Sequence, residues 1–303
     1  MAAILDRPSS DILARPMPKR RLGRFDHHAS ILTMGGVKWD TECNDAEVVE
    51  LMHRAIELGI NTFDTAYIYG DGESESKLGI ALEGRRNEVW VETKVMDRTY
   101  DGAMKQMDES FKRLRMDMVD LMFVHAVDSE EHYEQIMAPN SVLKAVEEMK
   151  AAGRIRHIGV SGHWVRDTQI KLLREYPFEA VLFPAGVFQI AYNYTFVDTV
   201  LPVAREQGCA VLCMKAFAAG RIKKASDKAA YLRYSMSQPV DTVVLGMDNM
   251  AQLEENVAIA KSDWAPMTDE EARSLVPEAL EMTQEFDHLE FPWIEGYTLG
   301  HGL

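Results

Sequence analysis

Ile60-Asn61-Thr62-Phe63-Asp64, Val89-Trp90-Val91-Glu92-Thr93-Lys94 and Val119-Asp120-Leu121-Met122-Phe123-Val124-His125 are three apolar, strand-like runs, each ending on a polar residue. A loop and then a helical pattern follow each run, so Asp64, Lys94 and His125 are expected at the carboxyl ends of successive parallel strands. In a closed barrel of such units, that rim is where chemistry is done. Tyr69 stands in the loop after the first run. A phenol with an ammonium and a carboxylate beside it and an imidazole nearby is a proton-donating set: the cation lowers the phenol's pKa and the carboxylate orients the cation. A structural ion pair is the plain alternative for Asp64 and Lys94 alone; a Tyr and a His at the same rim favour chemistry.

Outward from these runs, strand and helix patterns alternate. Residues 21–30 read as a short hairpin that plugs the barrel bottom, and residues 31–34 as the first barrel strand. Later strands are expected near 155–160, 180–183, 210–214 and 242–245, with helices between them and a last helix near 250–261, which completes eight βα units. The fold class is therefore α/β: a (β/α)8 TIM barrel over 19–262, preceded by a mobile tail, 1–18, and followed by an extension, 263–303. Phe291-Pro292-Trp293-Ile294 in that extension is apolar enough to fold over the barrel mouth. Gly59, Gly153 and Gly208 punctuate helix-to-strand junctions. Gly70-Asp71-Gly72 makes a turn after Tyr69, with Glu73 or Ser74 capping the next helix.

Composition agrees. A chain of 303 residues with 47% apolar content suffices for one barrel plus extensions. The net charge of −15 argues against nucleic-acid and anionic-membrane partners, since either needs a basic face. No apolar run is long enough to span a bilayer, and the first residues lack the apolar core of a signal peptide. Three cysteines, Cys43, Cys209 and Cys213, are too sparse for a disulfide framework and point to a reducing, cytoplasmic setting, with Cys209 and Cys213 read as small core residues. Asp26-His27-His28 and Glu130-Glu131-His132 resemble metal ligands only in composition, so no metal is expected.

The stretch Asn61-Thr62-Phe63-Asp64-Thr65-Ala66-Tyr67-Ile68-Tyr69-Gly70, followed by Ser74-Glu75 and Leu78-Gly79, resembles the signature of the aldo-keto reductases. Glu92-Thr93-Lys94 and His125 are similar to that family's next two landmarks, and the resemblance runs over roughly residues 18 to 262. It implies a (β/α)8 barrel that binds NADP or NAD and reduces a carbonyl. Tyr69 would be the general acid, Lys94 and Asp64 would adjust the phenol, and His125 would position the carbonyl oxygen. Tyr67 is a competing phenol; the family spacing, five residues after the Asp, selects Tyr69.

The same resemblance implies cofactor contacts, with departures. Ser161, Gly162 and His163 stand where a Ser-Asn pair usually holds the carboxamide. Gln189, ahead of Tyr192-Asn193, best matches the sixth-strand Gln, though it lies several residues past the strand. Met214 replaces the stacking Tyr in Met214-Lys215-Ala216-Phe217, so Met214 or Phe217 supplies the apolar face. Arg221 and Lys223 are candidates for the pyrophosphate, and Gly220 on the same loop is a further cofactor-binding candidate. Gly246, Asp248, Gln252, Glu255 and Asn256 resemble the adenine side, without the cation that usually pairs with a 2′-phosphate, which points to weak discrimination or a preference for NAD; Arg221, Lys223 or Lys261 could supply the cation. These features place the chain nearer a divergent bacterial-type branch, without its iron–sulfur tail.

Trp39, Tyr67 and Trp164 are candidate substrate-binding aromatics, for a small carbonyl or alcohol substrate. The alternative is a catalytically weak, nicotinamide-binding regulatory barrel. The complete set of Asp64, Tyr69, Lys94 and His125 favours the enzyme.

Overall fold

The computed structural model describes residues 8–39 and 44–286. Strands β1 (Lys19–Arg21) and β2 (His28–Ser30) form an antiparallel hairpin. Eight parallel strands then close a barrel: β3 (Leu32–Gly35), β4 (Thr62–Asp64), β5 (Trp90–Val95), β6 (Val119–Val124), β7 (Ile155–Ser161), β8 (Ala180–Pro184), β9 (Ala210–Met214) and β10 (Thr242–Gly246). β10 pairs with both β9 and β3, which completes the ring.

Side-chain alternation sorts each strand between two apolar compartments. Val91 and Val95 of β5 face the surrounding helices, and Trp90 faces the lumen with Leu121, Phe123, Leu182 and Leu212. Leu22 and Phe25 of the hairpin complete the lumen cluster from below, the plug expected from the sequence. Gly159 has no side chain because Phe123 occupies that space: an added Cβ would lie 2.7 Å from its ring. Gly59 ends helix Asp45–Glu57 at φ 93°, where the chain turns into β4 beside Met17.

Three segments differ from the expectation. Residues 8–18, read as a tail, hold a short helix, Ser10–Leu13, against helix Met250–Lys261, where Lys261 Nζ donates to Leu13 O at 2.6 Å and Arg15 pairs with Asp263 at 3.0 Å. Polar, proline-bearing sequence gives no periodic signal for such docking. The loops after β6 and β8 carry extra helices, Glu130–Met137 and Val187–Ala191, the first capped by Ser129. Of the extension, helices Asp269–Ser274 and Val276–Thr283 are described, and Phe286 packs on Phe188 with ring centroids 5.8 Å apart. Phe291-Pro292-Trp293-Ile294 and Cys43 lie outside the described residues. Cys209 and Cys213 are buried, which pushes their thiols up to about 11 and about 12.

Asp241 ties the plug to the barrel wall. Its carboxylate accepts from Gly23 N and Val211 N, both at 2.8 Å, and from the Arg205 guanidinium at 2.6 Å. Asp241→Ala strands the buried Val211 N–H, the half-buried Gly23 N–H and a partly exposed guanidinium, so stability to chemical denaturation should fall by about 2–3 kcal/mol; a loss below about 1 kcal/mol contradicts this role.

Candidate active site

The site begins with a cation that has nowhere to go but inward. Lys94 is 1% exposed on a lumen-facing position of β5. Its ammonium donates to Asp64 Oδ1 at 2.7 Å, lies 2.6 Å from Oδ2, and donates to Thr65 O at 2.7 Å. Asp64 ends the neighbouring strand, and the registers Asp64↔Glu92 and Lys94↔Phe123 bring β4, β5 and β6 to one rim. His125 follows β6 and donates its backbone N–H to Val95 O at 2.9 Å.

Tyr69 reaches this pair from the turn after β4. Gly70 and Asp71, at φ 56° and 51°, and Gly72, at φ 97°, reverse the chain directly behind it. Gly72, not Ser74, caps the next helix; Ser74 Oγ instead pairs with Thr65 Oγ1 at 2.7 Å and donates to Gly36 O at 2.8 Å, fixing the loop bases on both sides of the rim. Lys94 Nζ lies 4.7 Å from the Tyr69 ring centre, and the His125 ring meets Tyr69 edge-on at 5.9 Å.

Burial dominates the electrostatics. The Tyr69 phenol sits above its ordinary pKa because desolvation outweighs the opposing Lys94 charge. The sequence-based expectation of a net lowering therefore does not hold here: Asp64 spends much of the cation's field. Burial also lifts the Asp64 carboxyl, against Lys94. Lys94 is raised, its burial being overcome by Asp64 and Tyr69. His125 falls well below its usual value, through burial first and then the charge of Lys94.

A cleft of about 450 Å³ opens on this rim, lined by Asp64, Tyr69 and His163 and also by Gln252, Glu255 and Asn256. Met214, Lys215, Phe217, Gly220 and Arg221 from the segment after β9 line it, as do Gly246 and Asp248 after β10. Lys38, Lys223 and Lys228 also line it. Lys38 and Lys228 escaped the sequence reading, because nothing in a lone lysine marks it as facing a cleft. Asp128 was missed as well. Its carboxylate accepts from His163 N at 2.5 Å and contacts His163 Nδ1 at 3.0 Å, anchoring that ring across a sequence gap only folding closes.

Other expected residues are elsewhere. Gln189 lies on helix Val187–Ala191, where its Oε1 accepts from Gly186 N at 2.5 Å; the strand ends before it, and Leu182 lines the cleft instead. Ser161 is buried beneath the rim, its hydroxyl accepting from Ala126 N at 3.4 Å, and Gly162 abuts Val127 O, so neither lines the cleft. Trp39 is fully buried against Gly36. Tyr67 turns away to donate to Glu109 at 2.7 Å, under Arg113. Trp164 stands beside His163 but is held by Tyr194, which donates to its carbonyl at 2.5 Å. Lys261, considered for a 2′-phosphate, is spent on Leu13 O.

Comparisons with known proteins bear on the family and the fold. The model of the family described as the aldo/keto reductase family matches residues 32–232. The uncharacterized oxidoreductase YqkF of Bacillus subtilis is 27% identical, covering 86% of this chain and 95% of its own. L-galactose dehydrogenase of Arabidopsis thaliana is 27% identical, over 78% of this chain and 84% of its own. The holo form of an aldo-keto reductase from Bacillus halodurans superposes with a TM-score of 0.70 at 23% identity, covering 87% of this chain and 96% of that one; this likeness concerns the fold.

His125 offers a check on the electrostatics. Its folded pKa is depressed, so below the ordinary value of 6.5 an unfolded chain takes a proton that the folded site refuses, and stability falls as pH drops through that range. Imidazole nitrogen shifts should show His125 neutral from about pH 8 down to about pH 5.5; titration near 6.5 contradicts the buried, cation-facing environment.

Proposed function

The chain belongs to the aldo/keto reductase family, an NAD(P)H-dependent oxidoreductase family acting on small carbonyl compounds, and from that premise we propose that Tyr69 is its proton donor. The observation that carries the reading is the buried Lys94 ammonium, clamped by Asp64 at 2.6 Å and 4.7 Å from the Tyr69 ring, with Asp64 and Tyr69 lining the cleft. When bound, the dinucleotide supplies a hydride at its nicotinamide ring. The cleft suits it: cations from Lys215, Arg221, Lys223 and Lys228 line its walls, as does Asn256.

Tyr69 donates its proton to the carbonyl oxygen as negative charge develops there. Its raised pKa keeps the phenol protonated at neutral pH, the loaded form for reduction. Alcohol oxidation needs the phenolate, and the Lys94 charge stabilises that form. Neutral His125, its Nδ1 without a hydrogen-bond partner among the described residues, orients the oxygen. Met214 and Phe217 would offer apolar surface to the nicotinamide, and His163, held by Asp128, would offer it a polar contact. The substrate is an aldehyde, ketone or sugar; likeness to a protein named for L-galactose oxidation supports the sugar. Among the described residues no helix is long and apolar enough to cross a membrane. A cytoplasmic location is proposed on the strength of the sparse cysteines.

Tyr69→Phe should leave dinucleotide binding nearly intact and lower turnover about a hundredfold or more. Turnover kept in Tyr69→Phe but lost in Tyr67→Phe moves the role to the other phenol.

For the cofactor, Asp248 and Glu255 put carboxylates on the β10 side of the cleft, where a ribose hydroxyl is a better partner than a phosphate. Arg221, Lys223 and Lys228 are assigned to the pyrophosphate. Tryptophan fluorescence titration should then show NADH bound as tightly as NADPH or tighter. NADPH tighter by about tenfold, or ~1.4 kcal/mol, means those cations reach a 2′-phosphate.

A further inference from the structure

Glu92 has no part in the proton path just described, yet it is a carboxyl group inside the barrel. It stands one pleat below Lys94 on β5, so both face the lumen, and its register partner on β4 is Asp64. It is fully buried. The charged and titratable groups around it are Asp64 from β4, Lys94 from its own strand and Tyr69 from the loop above. From β6 it meets Leu121, its register partner, and the lumen below holds Trp90, Phe123, Leu182 and Leu212.

That neighbourhood leaves a carboxylate without support. The nearby ammonium is already committed to Asp64 and to Thr65 O. Among the described residues neither Glu92 oxygen receives a hydrogen bond of good geometry; the Trp90 indole N–H, itself unpaired, is the one hydrogen-bond donor near enough to favour the carboxylate, and burial and Asp64 outweigh it. Two ionised carboxyls cannot share so dry a site around one cation, and the proton belongs on the one without the ammonium. The two residues are register partners on adjoining strands with both side chains buried, and burial with the charge of Asp64 lifts the Glu92 carboxyl well above the ordinary range.

We propose that Glu92 is a neutral acid that donates its proton to the Asp64 carboxylate, and that it is the positioning residue setting how firmly Asp64 holds Lys94 beneath Tyr69. Shared between an acid proton and an ammonium, the Asp64 charge pulls less on Lys94, which leaves more of the cation's field for the phenol. An ionised Glu92 would instead add a second negative charge that raises Tyr69 further. This consequence rests on the reading of Tyr69 as proton donor; the protonation of Glu92 does not.

The resting protein, free of cofactor and substrate, provides the test. Infrared spectra at neutral pH should show a protonated-carboxyl stretch that Glu92→Gln removes. Denaturation adds the sign: a folded pKa raised above 4.5 means that the group's contribution is full below that value and is lost as pH rises. The unfolding constant of the unmodified protein relative to Glu92→Gln should then grow about tenfold per pH unit above about 4.5 until Glu92 itself ionises. No such band and a flat ratio overturn the proposal. Should Glu92→Gln fail to fold, the band in the unmodified protein decides, with Asp64→Asn expected to shift it. For the positioning role, Glu92→Met matches the bulk without the donor. Its rising limb for alcohol oxidation, where Tyr69 ionises, should sit about one pH unit above that of Glu92→Gln; coincident limbs overturn that role. Loss of the Tyr69 assignment with the Glu92 band intact leaves the acid pair standing and removes only its catalytic consequence.

Discussion

One ammonium group, buried at the top of the barrel lumen, organises the site. Lys94 is tolerable there only because Asp64 and the Thr65 carbonyl satisfy it, and both come from the end of the adjoining strand. That requirement fixes the β4–β5 register, and with it the base of the loop carrying Tyr69. The ledge continues through hydroxyls: Thr65, Ser74 and the Gly36 carbonyl form one chain across three segments. A site assembled this way is stiff because each buried polar group depends on the next.

The same dryness controls proton affinity. Tyr69, Asp64 and Glu92 are all pushed toward their neutral forms, and His125 is pushed away from its charged form. Lys94 alone stays firmly charged, since its partner is at contact distance. A neutral imidazole and a protonated phenol beside one fixed cation suit proton delivery to a developing alkoxide.

The cleft reconciles two features of composition. The chain carries a net charge of −15, yet Lys38, Lys215, Arg221, Lys223 and Lys228 share one concavity. A polyphosphate is drawn by that local field and not by the average one. Asp248 and Glu255 on the same cleft supply the opposite sign, a setting that favours a hydroxyl donor over an anion.

The amino-acid sequence by itself determined the eight βα units, the plug, and the rim positions of Asp64, Lys94 and His125, because periodicity and polar strand ends are local signals. It also marked Tyr69, through spacing in a resemblance. Only the tertiary structure decided the rest. Gln189 left the cleft because β8 ends early and a short helix follows; Trp39 and Tyr67 left it because Gly36 and Glu109 offered them closer partners. Asp128 and His163 meet across 35 positions, and Glu92 meets Asp64 across two strands. The sign of the Tyr69 shift belongs to this class too. Residue types name the charges present, but burial and distance set which of them wins, and both exist only after the chain has closed on itself.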